Sequence, residues 1–273
     1  MNKKINLKIL LVGCGKMGGA LLSGWLKQNI KASNISVIEP QKNNLDIFLK
    51  NGVNLYSKFE DLENHYEPDF ILFAVKPQMM DEIVPDYKYF SGKTTFISIA
   101  AGKTITYFES LLGKKSAIIR AMPNTPAAVG RGITALYPNA HVSNQQKQAA
   151  ESLLSAVGET VWLDNEEQMD AVTALSGGGP AYVFLLIETM TKAGIAAGLP
   201  DDVAARLAHT TVCGAGELAR LAEEPPEQLR KNVTSPGGTT LEALNVLMAD
   251  DGIQPLFDKA IAAATRRSRE LAG

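Results

Sequence analysis

Short apolar runs alternate with helical patterns along the first half of the chain. Eight runs predict β-strands, at residues 7–12, 35–38, 53–56, 70–75, 94–99, 117–122, 133–137 and 160–163. Runs without polar alternation are typical of strands buried on both faces of a parallel sheet. Helical patterns separate the strands, including those at residues 43–51 and 143–154. The alternation predicts an α/β, Rossmann-like N-terminal domain over residues 1–164, with a doubly wound and mostly parallel sheet.

The pattern changes after residue 164, where strand signals give way to alanine-rich helical stretches. Six helices are predicted, at residues 166–175, 181–198, 201–221, 226–231, 239–249 and 253–271. They predict an all-α C-terminal domain over residues 165–273. These helices carry too many alanines and glycines to pack well alone. Because small residues allow helices to approach closely, we expect this domain to form a homodimer interface.

A glycine-rich turn lies between the first predicted strand and the helix that follows it. It consists of Gly13, Cys14, Gly15, Lys16, Met17 and Gly18. A GxGxxG sequence alone is weak evidence, but between a strand and a helix it predicts dinucleotide binding. We expect Gly13 to permit the tight turn, Gly15 to let the backbone approach a pyrophosphate, and Gly18 to let the helix pack against the strand. Cys14 is interpreted as a small turn residue rather than a redox thiol.

Glu39 follows the second predicted strand, near the position that binds the adenosine ribose in Rossmann folds. A carboxylate there accepts the ribose 2′-hydroxyl of NADH and repels the 2′-phosphate of NADPH. Lys42, in the turn that follows, offers the opposite charge to a phosphate. Glu39 also has a purely structural interpretation, as a cap of the next helix. The preference between NADPH and NADH therefore stays open.

Three further predicted strands are followed by turns of unusual amino-acid composition. The strand at 70–75 leads into Lys76 and Pro77, the strand at 94–99 leads into two alanines and Gly102, and the strand at 117–122 leads into Pro-Asn-Thr-Pro. The carboxyl ends of parallel strands meet at one edge of the sheet, where ligands of open α/β sheets bind. Small residues there leave room for a flat ring. The pattern therefore predicts a cofactor crevice at this edge.

The stretch at residues 231–244 places hydroxyl side chains and glycines before a helical pattern. We expect Thr234 or Ser235 to cap this helix and Pro236 to lie in its first turn. The free N–H groups and the positive end of the helix dipole favour a small carboxylate there. The alternative is an ordinary capped turn. A second glycine cluster, at residues 175–181, presents the same choice between a donor-rich helix start and a turn between helices.

Composition narrows the classes of partner. The chain has 273 residues, 45% of them apolar and 21% charged, and a net charge of −2. This balance is typical of a globular protein and gives no reason to expect nucleic acid or an anionic membrane as a partner. Two cysteines and three scattered histidines form neither a disulfide framework nor a metal-ligand spacing. We therefore predict no metal site and a cytoplasmic location.

The N-terminus has some features of a lipoprotein signal, because two lysines and an apolar run precede Cys14. The apolar run at residues 9–12 is shorter than the roughly 7–15 residues of a secretory core. Cleavage before Cys14 would also remove the first predicted strand, so we reject this interpretation. No apolar run approaches the ~18 residues of a membrane span, and we expect no membrane contact.

Taken together, these stretches resemble pyrroline-5-carboxylate reductases over essentially the whole chain. The resemblance rests on residues 12–20, 74–77, 100–102, 120–126, 171–182 and 232–240. The last of these segments reads Asn-Val-Thr-Ser-Pro-Gly-Gly-Thr-Thr and is similar to the family signature. Family members reduce the C=N bond of 1-pyrroline-5-carboxylate to L-proline, the last step of proline biosynthesis, with NADPH or NADH as the hydride donor.

The resemblance implies roles for individual residues. The expected cofactor-binding residues are Gly13, Cys14, Gly15, Lys16, Met17, Gly18, Glu39, Ala74, Val75, Lys76, Pro77, Ala100, Ala101 and Asn124. The expected substrate-binding residues are Glu166, Asn232, Ser235, Gly238, Thr239 and Thr240. Asn124 would border the nicotinamide. Glu39 departs from the serine or arginine usual in the family, which keeps NADH open beside NADPH. The resemblance also implies a homodimer, or a larger oligomer built from dimers.

Thr240 is the expected catalytic residue. Hydride transfer depends mostly on positioning, so an imine substrate needs no strong general base. Its nitrogen must instead be protonated or hydrogen-bonded as the hydride arrives, and the Thr240 hydroxyl is our candidate for that hydrogen bond. Because this hydroxyl is a weak acid, water is the alternative source of the proton.

Two other classes of protein share parts of the pattern. A β-hydroxyacid dehydrogenase has the same order of domains. Members of that family, however, resemble one another in using a lysine about one helix turn beyond the second glycine cluster. Residues 181–185 contain no lysine, and Lys192 lies too far along the chain. A dinucleotide-sensing regulatory protein would bind cofactor without turnover, and it would have little need for the hydroxyl-rich helix start at residues 234–240.

Overall fold

The chain forms two compact units. The computed structural model describes residues 7–28, 30–41, 45–63 and 65–272. Unit 1 comprises Met1–Gly177 and Thr265–Gly273, and unit 2 comprises Gly178–Ala264. Unit 1 is built around a sheet, whereas unit 2 is built from helices.

An eight-stranded sheet forms the centre of unit 1. Its strands are β1 (Ile9–Val12), β2 (Ile35–Ile38), β3 (Asn54–Tyr56), β4 (Phe70–Phe73), β5 (Thr95–Ser98), β6 (Ala117–Met122), β7 (Gly132–Pro138) and β8 (Gly158–Trp162). Their order is β3-β2-β1-β4-β5-β6-β7-β8. All pairs are parallel except β6 with β7. The predicted strands and the doubly wound, mostly parallel sheet of a Rossmann-like domain are confirmed.

Helices connect the strands of unit 1 or follow the last of them. They are α1 (Lys16–Lys27), α2 (Asp46–Lys50), α3 (Met80–Ile83), α4 (Ile105–Leu112), α5 (Asn144–Leu154) and α6 (Gln168–Val172). Short 3-10 helices lie at Ala32–Asn34, Phe59–Asp61, Pro77–Met79, Val84–Phe90, Thr125–Val129 and Ser155–Val157, and a π-helix lies at Thr173–Gly177. The helix predicted at residues 143–154 is confirmed. Of the helix predicted at 43–51, the structure has α2, and residues 43 and 44 lie outside the described residues.

Alternate residues of β1 pack into two separate cores. Ile9 and Leu11 belong to a cluster with Trp25 of α1. Leu10 and Val12 belong to a second cluster on the other face of the sheet. The Trp25 indole Nε1 donates to a backbone carbonyl of α5 at 2.8 Å, which joins two helices of the first cluster. A strand between two apolar layers needs apolar side chains at every position, which explains why β1 shows no polar alternation.

Unit 2 is helical, as predicted. Its helices are α7 (Gly179–Ala196), α8 (Asp201–Leu221), α9 (Pro226–Asn232), α10 (Thr239–Leu247) and most of α11 (Ile253–Ala272). Small residues let α7 and α8 lie close together, since a Cβ added to Gly194 would lie 3.2 Å from the Cβ of Ala204. Ala204 and Ala208 are the buried residues of α8.

The border between the compact units differs from the predicted domain border at residue 165. The last strand ends at Trp162, but the next residues stay with the sheet because Glu166 is bonded to Arg120 of β6. The end of α11 belongs to the same unit, where the Ser268 hydroxyl donates to Asp170 Oδ1 at 2.6 Å. The sequence pattern marks where strands stop, whereas the border of a compact unit depends on such long-range contacts.

One apolar stretch is longer than the sequence pattern predicts. Gln168–Ala196 has 29 residues and an 18-residue window of mean hydropathy 1.3, so by length and composition alone it qualifies to cross a membrane. No uninterrupted apolar run of ~18 residues lies within it, since Glu188 and Lys192 interrupt the apolar pattern, so the stretch qualifies through the mean hydropathy of its window. Only 6% of that window is buried within the chain. Phe184 and Leu185, for example, are 60% and 59% exposed.

Candidate functional site

The glycine turn joins the carboxyl end of β1 to α1. Gly13 has a φ of +90°, and a Cβ there would lie 2.7 Å from the Cγ1 of Val75. A Cβ on Gly18 would lie 2.5 Å from the carbonyl oxygen of Gly13, so only glycine allows α1 to pack this closely. The structural roles predicted for Gly13 and Gly18 are confirmed. Around the Cβ position of Gly15, no described atom beyond Gly15 and its two chain neighbours lies within 4 Å.

The start of α1 is open to a ligand. The helix begins at Lys16 with Gly15 at its cap position, and no side chain caps it. The first N–H groups of a helix have no acceptor within the helix, so they are available to an anion. Gly15 and Lys16 are both exposed. These features fit the pyrophosphate of a dinucleotide, although the contact of Gly15 with a pyrophosphate stays a prediction.

Glu39 is held against the glycine turn. Its Oε2 accepts the backbone N–H of Cys14 at 2.8 Å, and its Oε1 accepts the backbone N–H of Gln41 at 3.0 Å. The carboxylate therefore lies beside the turn predicted to bind the pyrophosphate. Helix α2 begins at Asp46 with Leu45 at its cap position, so Glu39 does not cap the described helix. The predicted helix start at residues 40–43 includes residues that lie outside the described ones, so the capping interpretation of Glu39 stays a prediction. Lys42, the opposing candidate for the ribose site, lies outside the described residues.

The Cys14 thiol is half-buried within the same turn. Burial, and to a smaller extent the charge of Glu39, raises the pKa of this thiol to about 11. The thiol is therefore protonated at neutral pH, and a protonated thiol is a poor nucleophile. This supports the interpretation of Cys14 as a small turn residue.

The segments after β4 and β5 lie at the same edge of the sheet as the glycine turn, because these strands run parallel to β1. They contain Ala74, Val75, Lys76, Pro77, Ala100 and Ala101. The backbone N–H of Ala74 donates to the last residue of β1 at 2.7 Å. After β5 the chain turns at Gly102, which has a φ of +76°. The structure thus brings these predicted residues to one edge, and their contact with a cofactor stays a prediction.

Asn124 joins the end of β6 to two other segments of unit 1. Its Oδ1 accepts the backbone N–H of Ile133 at 2.9 Å, and its Nδ2 donates to the carbonyl of Ser176 at 3.3 Å. Ser176 lies in the π-helix, where a Cβ added to Gly177 would lie 2.6 Å from the Cε of Met122. The side chain of Asn124 therefore has a structural role at this sheet edge, whatever it contributes to cofactor binding.

Glu166 is bonded within unit 1. Its Oε1 accepts from Nη1 of Arg120 at 2.6 Å and from the backbone N–H of Ile105 at 2.8 Å. Ile105 is the first residue of α4, so the carboxylate also interacts with the start of a helix, where negative charge is favourable. The predicted role of Glu166 in substrate binding stays a prediction.

Sequence reasoning missed Arg120 as the partner of Glu166. A single arginine in an otherwise apolar strand is the signal that marked it, because a buried guanidinium requires an acceptor. Arg120 is 7% exposed. The sequence contains many carboxylates, and no local pattern selects Glu166, which lies 46 positions away.

The predicted cap of α10 was wrong. The helix begins at Thr239, with Gly238 at its cap position and without a side-chain cap. Thr234 is bonded to the preceding helix instead, because its Oγ1 donates to the carbonyl of Arg230 in α9 at 2.6 Å. The Thr234 side chain is therefore bonded to the end of one helix, and neither Thr234 nor Ser235 caps the next.

A tight turn occupies the place where the cap was expected. The N–H of Gly238 donates to the carbonyl of Ser235 at 3.1 Å, with Pro236 and Gly237 between them. Gly237 has a φ of +69°. Proline followed by a residue of positive φ is typical of a type II turn. Pro236 therefore starts this turn and does not lie in the first turn of the helix.

Four predicted substrate residues lie together at this turn and helix start. They are Ser235, Gly238, Thr239 and Thr240. Asn232 is the last residue of α9, and its Oδ1 accepts from Nε2 of Gln228 at 2.8 Å. A groove of about 410 Å³ in unit 2 is lined by Arg230, Lys231, Thr234, Leu241, Leu244, Asn245 and Met248. None of the predicted substrate residues lines that groove.

Two family descriptions match separate parts of the chain. Residues 166–271 match a family described as "Pyrroline-5-carboxylate reductase dimerisation". Residues 8–102 match one described as "NADP oxidoreductase coenzyme F420-dependent". The helical C-terminal segment is thus similar to dimerisation domains, and the strand-rich N-terminal segment is similar to NADP-dependent oxidoreductases.

Similarity to individual proteins extends over the full length. The pyrroline-5-carboxylate reductase of Pseudomonas aeruginosa is 39% identical over 270 residues, which cover 97% of each chain. The structure of such a reductase from Coxiella burnetii is 37% identical, with a TM-score of 0.92 and coverage of 98% of this chain and 99% of that one. The Plasmodium falciparum pyrroline carboxylate reductase with NADP bound is 32% identical, with a TM-score of 0.83 and coverage of 99% and 100%.

Proposed function

The chain belongs to the pyrroline-5-carboxylate reductase family, and from this premise we propose that it reduces the C=N bond of 1-pyrroline-5-carboxylate to give L-proline. NADPH or NADH, when bound, supplies the hydride. The observation that carries this proposal is the 39% identity to a pyrroline-5-carboxylate reductase over 97% of both chains. The alternatives of a β-hydroxyacid dehydrogenase and of a sensor without turnover are not favoured.

The nucleotide binds at the carboxyl edge of the sheet in unit 1. The open Cβ position of Gly15 and the uncapped start of α1 support the pyrophosphate position. Glu39 lies beside the turn on the ribose side. The small side chains after β4 and β5, together with Asn124 after β6, complete the cofactor-binding set at the same edge.

The substrate carboxylate binds at the start of α10 in unit 2. The Ser235–Gly238 turn and the uncapped helix start bring hydroxyl and N–H donors together. Ser235, Thr239 and Thr240 are exposed in the single chain, so their donors are accessible. We also assign Glu166 and Asn232 to substrate binding, on family resemblance alone. Thr240 hydrogen-bonds the imine nitrogen, with water as the final source of the proton.

The chain acts on a small molecule as a homo-oligomer, and we propose a homodimer or a larger assembly of dimers. The exposed apolar side chains of α7, including Phe184 and Leu185, support a second copy as the partner that covers them. The dimerisation family match spans the same helices. We propose that these side chains are buried against a second copy and not in a membrane. We further propose a cytoplasmic location and no nucleic-acid partner. Light scattering by the purified protein measures the oligomer mass directly.

An enzyme assay tests the proposed reaction. Purified protein is mixed with NADH or NADPH, and cofactor oxidation is followed before and after 1-pyrroline-5-carboxylate is added. We expect oxidation only in the presence of this substrate, with equimolar formation of proline. Cofactor binding without oxidation would contradict the reductase function and would favour the sensor. Reduction of NAD(P)⁺ after a 3-hydroxy acid is added would favour the dehydrogenase.

A further inference from the structure

We propose that Glu39 makes NADH the preferred cofactor, because its carboxylate is fixed where it receives the ribose hydroxyls and repels a 2′-phosphate. This inference rests on the proposed nucleotide site at the glycine turn. It goes further by choosing between the two cofactors and by assigning that choice to one side chain.

Three contacts fix the position of Glu39. Its backbone N–H donates to the carbonyl of Tyr56 in β3 at 3.0 Å, which continues the sheet beyond the end of β2. One carboxylate oxygen accepts the N–H of Cys14 at 2.8 Å, and the other accepts the N–H of Gln41 at 3.0 Å. The side chain is therefore held from two segments, the glycine turn and the turn after β2. It cannot turn away from a ligand without breaking one of these bonds.

The remaining acceptor capacity of the carboxylate matches a ribose. An ionised carboxylate has about four acceptor positions, and the two backbone N–H groups occupy one on each oxygen. Counted against the described residues, about two positions remain. The adenosine ribose of NADH offers two adjacent hydroxyl donors, so it can satisfy both positions.

The charge of Glu39 acts against NADPH. Its 2′-phosphate carries about −1.5 to −2 charges at neutral pH, and like charges a few ångströms apart repel strongly where water is partly excluded. A mobile carboxylate relieves such repulsion by rotating into solvent. A carboxylate bonded to two backbone N–H groups does not have that freedom. The inference therefore depends on the two hydrogen bonds as well as on the presence of an acidic residue.

Binding measurements without turnover test the preference. Dissociation constants for NADH, NADPH, ADP-ribose and 2′-phospho-ADP-ribose are measured by calorimetry with the full chain. We expect the wild type to bind each non-phosphorylated ligand about tenfold or more tightly than its 2′-phosphorylated counterpart. Glu39→Gln should strengthen NADPH binding about tenfold and weaken NADH binding by less, while Glu39→Asp, which keeps the charge, should still disfavour NADPH.

A matched control is available at the opposite edge of the sheet. Glu159 is exposed on β8, whereas β2 lies near the other edge, so Glu159→Gln removes the same charge far from the site. This variant should bind all four ligands as the wild type does. Equal effects of Glu39→Gln and Glu159→Gln would overturn the inference, because they would reflect net charge only.

The outcomes separate this inference from the proposed nucleotide site. Wild-type binding of NADPH as tight as that of NADH, or tighter, would overturn the preference and leave the site intact. If Lys42→Ala then abolished that NADPH binding, the ribose site would be assigned to Lys42. Failure of the wild type to bind any of the four ligands would overturn the nucleotide site itself.

Discussion

Nη1 of Arg120 lies 2.6 Å from Oε1 of Glu166, and both side chains are largely buried, with exposures of 9% and 25%. The same carboxylate oxygen accepts the N–H of Ile105 at the start of α4. One ion pair thus joins β6, α4 and the segment before α6. Removal of the arginine would leave a carboxylate partly buried without its counter-charge, which is more costly than the absence of both charges.

We therefore expect Arg120→Met to lower the free energy of unfolding by about 3 kcal/mol. Urea unfolding at a fixed protein concentration measures this, because oligomer stability depends on concentration. Arg267 and Glu270 form an exposed pair at 2.9 Å and provide the control. Arg267→Met should cost less than about 1 kcal/mol. Equal effects of the two substitutions would show that the buried pair has no special role.

Alanine substitutions at two positions of the glycine turn should separate protein stability from cofactor binding. Gly18→Ala places a Cβ 2.5 Å from the carbonyl of Gly13, so it should destabilise the protein by about 1–3 kcal/mol. Gly15→Ala meets no described atom within 4 Å, so it should leave stability unchanged. Its methyl group would instead obstruct a pyrophosphate and weaken NADH binding about tenfold. Thermal unfolding and calorimetry measure the two effects. Unchanged binding in Gly15→Ala would rule out the predicted pyrophosphate contact.

The buried thiol of Cys14 predicts a loss of stability at alkaline pH. Its pKa rises from 9.0 to about 11 on folding. Between these values the unfolded chain loses the proton while the folded chain keeps it, so stability present below pH 9 falls as pH rises towards 11. Serine does not ionise in this range, so Cys14→Ser should show a smaller fall in Tm over the same interval. Identical pH dependence in both proteins would contradict the buried, protonated thiol.

The proposed role of Thr240 predicts a specific change in kinetics. Thr240→Ala should lower kcat about 100-fold, because a hydrogen bond to the imine nitrogen strengthens as the hydride arrives. Thr240→Ser keeps the hydroxyl and should recover most of the rate. Steady-state kinetics with a saturating cofactor measure kcat and KM separately. A change in KM alone, or an equal loss in the alanine and serine variants, would place Thr240 in binding or packing rather than in the reaction.

Much of the fold was predictable because its signals are local. The bounds of β2 and β6 agree with the prediction to the residue, since strands buried on both faces are uniformly apolar. The cap of α10 was not predictable, because two hydroxyl residues before Pro-Gly-Gly fit either a helix cap or the end of the preceding helix. The positive φ of Gly237 marks the turn that the sequence left undecided.

The candidate site was predictable only in part. The GxGxxG turn and the small residues after β4 and β5 are recognisable from local sequence. The sequence alone therefore predicts that they lie at one edge of the sheet. The bond between Glu39 and the N–H of Cys14 spans 25 positions, and the pair of Arg120 with Glu166 spans 46. Such contacts depend on the packed fold and have no local pattern.

Isotope transfer tests the proposed reaction most directly. The purified protein is incubated with 1-pyrroline-5-carboxylate and NADH or NADPH that carries deuterium at the transferable C4 position, and the proline formed is analysed by mass spectrometry and NMR. Direct hydride transfer to the C=N bond predicts one deuterium at C5 of proline with the matching nicotinamide stereoisomer, and none in a reaction without protein. Proline without deuterium from either C4 stereoisomer, or cofactor oxidation without proline, would contradict it.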